Sequence, residues 1–249
     1  MEKSHVSVRT IQRIENGEVL PRMSTVKILL EALGESYESF SSKPPQVMET
    51  SSTSLPIASR NTLLTAAVAG AVYLVSEIIL GAMDVAWFTG DRDWGLWINA
   101  VYTSLTAVMV VSFALFARGF IALSKVFENP TLKVSAYLLI VGTIALAILD
   151  VVSLSMEDLD IVWIAYGAAA VILGALSIFF GVSLIRLQDG MGELARIAGI
   201  LEIILGCLLV TIALFFLAYV VMIPAIAIEI MVLYRGYEYL SRTESAPAL

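Results

Sequence analysis

A chain of 249 residues that is 59% apolar and only 15% charged, with a mean hydropathy of +0.87, is too apolar for an ordinary soluble domain and belongs with polytopic membrane proteins. Its formal net charge of -7 excludes a broadly polybasic nucleic-acid binder, so any nucleic-acid reading has to rest on a local cluster of basic side chains. One cysteine, Cys207, excludes a disulfide framework and a cysteine-spaced metal motif.

The first informative stretch is Val6 to Gly17, VSVRTIQRIENG. On a helix capped by Ser7, Ile11 and Ile14 share one side, while Arg9, Gln12 and Arg13 share the other. Arginine and glutamine can fork onto guanine and adenine edges in a major groove, and Asn16-Gly17 supplies a left-handed turn to end the helix. Met23 to Leu33 reads as a second amphipathic helix, with Val26, Leu29, Leu30 and Leu33 along one stripe and Gly34 at the C-cap. Residues 1–40 carry Lys3, Arg9, Arg13, Arg22 and Lys27 against six glutamates, so the local basic cluster is Lys3, Arg9 and Arg13.

The order Thr10-Ile11-x-x-Ile14-Glu15-Asn16-Gly17 followed by Pro21-Arg22-x-x-Thr25 resembles the Cro/CI (XRE) family of helix-turn-helix DNA-binding domains. The resemblance covers about the first 35 residues, from the end of helix 2 through recognition helix 3 to helix 4. It implies that Arg9, Gln12 and Arg13 meet bases or phosphates, that Ser7 and Thr10 meet the DNA backbone, and that Arg22 and Thr25 add phosphate contacts. It also implies a homodimer on a palindromic site. Two departures stand out: His5 replaces the family's usual glycine, and Met1 falls just before the turn, where helix 1 and most of helix 2 would already have passed. Two helices of such length bury little apolar area alone, so the domain is read as N-terminally truncated, with either a start upstream or a remnant.

Ser41 to Ser59 is rich in Ser, Thr and Pro without periodicity and reads as a flexible tether. Beyond it come about six apolar stretches long enough to cross a bilayer, near 62–84, 97–120, 134–156, 161–185, 195–217 and 219–238; only a tight uncharged turn near Tyr219 separates the last two, so the alternative is five spans plus a re-entrant segment. In the six-span arrangement Arg60, Arg118, Lys125, Lys133, Arg186, Arg196, Arg235 and Arg242 fall on one side. The other side holds Arg92 among Asp84, Asp91, Asp93, Glu157, Asp158 and Asp160. The positive-inside rule then places both termini in the cytoplasm and the protein in the inner (plasma) membrane of a prokaryote. Trp87, Trp94, Trp97 and Trp163 gather at the opposite ends, as interfacial aromatics do.

Four acids lie within the spans: Glu77, Asp150, Glu202 and Glu229. Carboxylates at membrane depth are costly and mark either a proton, ion or ligand site or a hydrogen-bonded packing role. Ala66, Gly70, Tyr73, Glu77 and Gly81 form one small-residue stripe and Ala195, Gly199, Glu202 and Gly206 another, so both glutamates should face other helices. Glu202 and Glu229, on consecutive spans and at similar depth, should approach each other. The pentapeptide EIILG occurs at Glu77 to Gly81 and again at Glu202 to Gly206, and Gly167, Gly174 and Gly181 recur every seven residues, as close helix packing requires.

The expectation is an all-α chain. It comprises a partial helix-turn-helix head (1–40), a flexible linker (41–60), a six-span transmembrane domain (61–240) and a C-terminal tail (241–249). Its expected function is that of a membrane-anchored DNA-binding transcription regulator with an anchor or sensor bundle; its expected partners are DNA, the lipid bilayer and a second copy of itself. The alternative is a small polytopic protein, transporter-like or an accessory subunit, with a degenerate head. No phosphate loop, nucleophile constellation or metal cluster supports an enzyme, and no cofactor or metal is expected.

Overall fold

The chain divides into two units, Met1–Ser54 and Leu55–Leu249. The computed structural model describes Thr25 and residues 57–90, 94–212 and 214–245. The described part of the second unit is entirely helical: α1 (Ile57–Thr89), α2 (Leu96–Val126), α3 (Pro130–Ser153), α4 (Leu159–Ile185), the single turn α5 (Gln188–Met191), α6 (Glu193–Val210) and α7 (Phe215–Ser245).

Local chemistry sets the boundaries. Pro130 occupies the first turn of α3, where its missing N–H costs nothing, and the Asn129 side chain caps that turn by accepting from the Leu132 N–H at 3.1 Å. Asn129 also donates from Nδ2 to the Ser183 carbonyl at 3.0 Å, tying the α2–α3 corner to α4. Asp158 caps α4 by accepting from the Asp160 and Ile161 N–H groups. Gly192, at φ 74°, makes the left-handed corner between α5 and α6.

Helices neighbouring in sequence pack antiparallel, and α7 returns to α1, which closes a ring of six long helices. The end where α1 starts is the proximal end; the end where it stops is the distal end. Five helices are long and apolar enough, by length and composition, to cross a membrane: α1, α2, α3, α4 and α7. The sixth, α6, has 18 residues, about 27 Å at roughly 1.5 Å per residue, and carries Glu193, Arg196 and Glu202. The outward faces expose Val68, Val75, Val111, Val141, Ile148, Ile164 and Val220, an apolar exterior that water would not favour.

Several sequence boundaries shift. The turn expected near Tyr219 lies instead over Thr211–Leu214, with Ile212 at φ 53°, and Tyr219 sits inside α7. Ile57 to Arg60, assigned to the tether, begin α1, and Ser241 to Ser245, assigned to the tail, continue α7. Apolar runs mark the hydrocarbon-depth core of a helix, whereas backbone hydrogen bonding carries it past that core into polar sequence.

Close approach is concentrated between α4 and α6. A Cβ added at Gly181 would stand 2.6 Å from the Gly199 carbonyl oxygen, and one at Gly174 would stand 2.7 Å from that of Gly206, so backbone meets backbone across this pair. Alanine at Gly181 is therefore expected to push the two helices apart and to cost about 1 to 3 kcal/mol of stability in detergent unfolding. Alanine at Gly95, where an added Cβ meets nothing within 4 Å, is expected to leave that stability within about 0.5 kcal/mol of the parent.

Candidate functional site

Inside the ring the proximal half is closed by packed apolar side chains. Leu63, Phe116, Phe120, Phe180, Leu184 and Leu233 are almost wholly buried, with Phe120 edge-on to both Phe116 (ring centroids 5.3 Å apart) and Phe180 (5.1 Å). The titratable side chains lie distal to this plug.

Deepest are Glu202 on α6 and Glu229 on α7, 5% and 3% exposed. Their carboxyls are within hydrogen-bonding reach of each other, and Ser177 Oγ on α4 donates to Glu202 Oε2 at 2.5 Å. Glu229 Oε1 is buried without a hydrogen-bond partner. Next to the pair stands Tyr73 on α1, tilted against Phe113 and stacked on Phe116 of α2, with Glu77 one turn along its own helix on the same face.

Half-buried acids continue the series towards the distal end. Asp84 on α1 accepts from the Tyr102 hydroxyl of α2 at 2.8 Å, and Asp150 on α3 accepts from the Tyr166 hydroxyl of α4 at 2.8 Å. Tyr166 lies 3.2 Å from Ser153 Oγ as well. Asp84 and Asp150 are near enough to each other and to Glu77 to interact electrostatically. None of these five carboxyls is ion-paired to a Lys or Arg among the described residues.

All four acids picked out in the sequence thus border the ring interior, and Glu202 and Glu229 meet. Asp84, expected at the end of the first span among the charges of the outer side, lies within α1, which runs on to Thr89, and is bonded to a neighbouring helix. Its signal was present, since the stripe Tyr73, Glu77 and Gly81 continues with Asp84 at i+3 on the same face. Tyr102, Tyr166 and Ser177 had no such signal, because each reaches its acid from a different helix. The two EIILG copies meet unlike surroundings: Gly81 faces the Tyr219 ring, and Gly206 faces the α4 backbone.

In the first unit, residues 2–40 match the Helix-turn-helix family model. The family model is of the XRE type. The match spans the whole stretch from which the resemblance was read and extends it to Phe40. Of the residues that the helix-turn-helix resemblance assigns to DNA, Ser7, Arg9, Thr10, Gln12, Arg13 and Arg22 lie outside the described residues, and Thr25 is helical and half-exposed. No curated protein and no solved structure matches the chain.

Removing the Ser177 hydroxyl leaves a buried carboxyl oxygen without its donor. Ser177→Ala is expected to lower stability in detergent by about 1 to 3 kcal/mol. Ser104→Ala, which removes an exposed hydroxyl bonded only to its own helix, should change it by less than about 0.5 kcal/mol, and unfolding of both variants against the parent checks this.

Proposed function

We propose that this protein is a membrane-anchored transcription regulator: the helix-turn-helix head binds DNA, and the helical bundle holds the head at the membrane and serves as its sensor. The observation that carries the reading is the presence, in one chain, of an XRE-type helix-turn-helix and five helices long and apolar enough to cross a bilayer. Arg9, Gln12 and Arg13 are the proposed base- or phosphate-contacting residues, Ser7 and Thr10 the proposed DNA-backbone contacts, and Arg22 and Thr25 the proposed additional phosphate contacts. The acting unit is a homodimer, since two heads on a palindromic site reinforce each other's register.

Charge distribution supports an orientation. Arg60, Lys125, Lys133, Arg186 and Arg196 lie at or near the proximal ends of their helices. Asp84, Glu157, Asp158 and Asp160 lie at the distal end. With six crossings the proximal end faces the cytoplasm, the compartment that holds DNA.

Two experiments test this reading. Reporter fusions at Lys125, Arg186 and Leu249 should report cytoplasm, and a fusion at Asp158 the opposite side; a split between Arg186 and Leu249 would mean that α6 and α7 do not both cross. In DNA binding by the full-length protein in detergent, Gln12→Ala should cost about 1 to 3 kcal/mol on the preferred sequence and relax preference at one base position. Lys3→Ala should weaken binding to all sequences alike and shrink the salt dependence. Equal small losses for both variants on every DNA would instead favour a degenerate head on a bundle with its own activity.

A further inference from the structure

The α6–α7 hairpin is shorter than its neighbours. Gly167 on α4 faces Ile212 in the hairpin turn, so the turn reaches only that level, eight residues and about 12 Å short of the start of α4 at Leu159. On the opposite flank, Tyr219 near the start of α7 packs on Gly81 of α1, again short of that helix's end at Thr89. Beyond the hairpin turn, the last turn of α1 and the first two turns of α4 stand without α6 and α7 beside them. Asp84 with Tyr102 and Asp150 with Tyr166 stand level with the hairpin turn, Tyr166 next to Gly167 and Asp84 one turn beyond Gly81. Glu77 and Tyr73 follow inward, then Glu202 and Glu229, and below them the phenylalanine plug closes the way to the proximal end.

We propose that the Glu202–Glu229 pair is a binding site for a single proton, reached from the distal end of the bundle along Asp84, Asp150, Glu77 and Tyr73. Two carboxylates in hydrogen-bonding reach and almost fully buried repel strongly if both are charged; one proton held between them removes a charge and forms the hydrogen bond. Glu229 Oε1 is the independent mark of the site, a buried oxygen with no donor from any helix around it. The groups facing the pair are Tyr73 from α1 and Ser177 from α4; Glu77 lies beyond Tyr73, and Phe113 and Phe116 of α2 back the Tyr73 ring. No basic side chain among them supplies a compensating charge. A proton suits the site better than a metal ion. Ser177 commits its hydrogen to Glu202, and no group of three or more His, Cys, Asp or Glu among the described residues has metal-holding geometry, whereas hard cations take six or more oxygens. Each acid hands its proton to the next carboxylate, and Tyr73 releases its hydroxyl hydrogen to the pair as its oxygen takes the proton of Glu77, so charge and atoms balance at each step.

The site belongs to the bundle and does not depend on what the head binds. The test is infrared difference spectroscopy on the full-length protein in lipid nanodiscs, stepped between about pH 5 and about pH 9, with circular dichroism as the check on folding. The parent should show a protonated-carboxyl band that shifts in heavy water and titrates. Glu229→Gln and Glu202→Gln should each abolish it, and Ser177→Ala should move its frequency. Should one glutamine variant fail to fold, the other reads the same band. After a pH jump, Glu77→Gln should slow the band's appearance on the order of tenfold or more while leaving its final amplitude. A band missing from the parent at every pH, surviving both glutamine variants, or displaced by added sodium ions would overturn the proton site. An unaltered rate in Glu77→Gln would overturn the path.

Discussion

The interior of the bundle depends on how closely α4 and α6 approach at their glycines. Gly174 and Gly181 on one helix lie against the carbonyls of Gly206 and Gly199 on the other, a separation that no side chain at these positions would allow. That contact sets where Glu202 goes. Its Cβ stands beside Gly181, and its carboxyl reaches Ser177 one turn along α4. A wider spacing would strand a buried carboxyl without a donor. The costly polar group and the stripe of small residues are therefore one feature: the glycines exist where the acid needs a near neighbour.

The same economy of space divides the ring along its axis. In the proximal half, Leu63, Phe116, Phe120, Phe180 and Leu233 fill the centre, and edge-to-face rings leave no route through. In the distal half the filling changes to tyrosines and carboxyls: Tyr102 bonds Asp84, Tyr166 bonds Asp150, Ser177 bonds Glu202, and Tyr73 stands one turn from Glu77 on the same face. Glu229 is the exception, with one oxygen left over. The bundle interior is thus polar in its distal half and apolar in its proximal half.

The head and the bundle draw on different physics. The helix-turn-helix needs charge and hydrogen-bonding side chains facing outwards; the bundle turns its polar groups inwards and presents Val68, Val111, Val141 and Ile164 to its surroundings. In the proposed reading, joining the two in one chain would hold the head near the membrane, and a second copy would raise the affinity of both heads for paired half-sites through effective concentration.

Much of this could be read from residue order. Composition and the length of the apolar runs determined an all-helical bundle, because in hydrocarbon only helices satisfy a backbone without sheet partners. Local motifs pointed to the helix-turn-helix family, since Thr10, Ile11, Ile14, Asn16 and Gly17 carry its pattern within eight residues, and the family model matches over residues 2–40. The face carrying Glu77 and Glu202 was legible from the spacing of the small residues around them. What the sequence could not determine was anything carried by atoms from separate helices. Asp84 looked like one more surface acid until Tyr102 of α2 was seen to donate to it, and the turn near Ile212 carried no Gly or Pro to mark it. Nothing in the run around Ser177 marked it as the donor to Glu202, twenty-five positions away. A periodic stripe is a property of one helix and survives in one dimension; the partner of a buried carboxyl is chosen by which helices touch and at what height, and only the tertiary structure decided that.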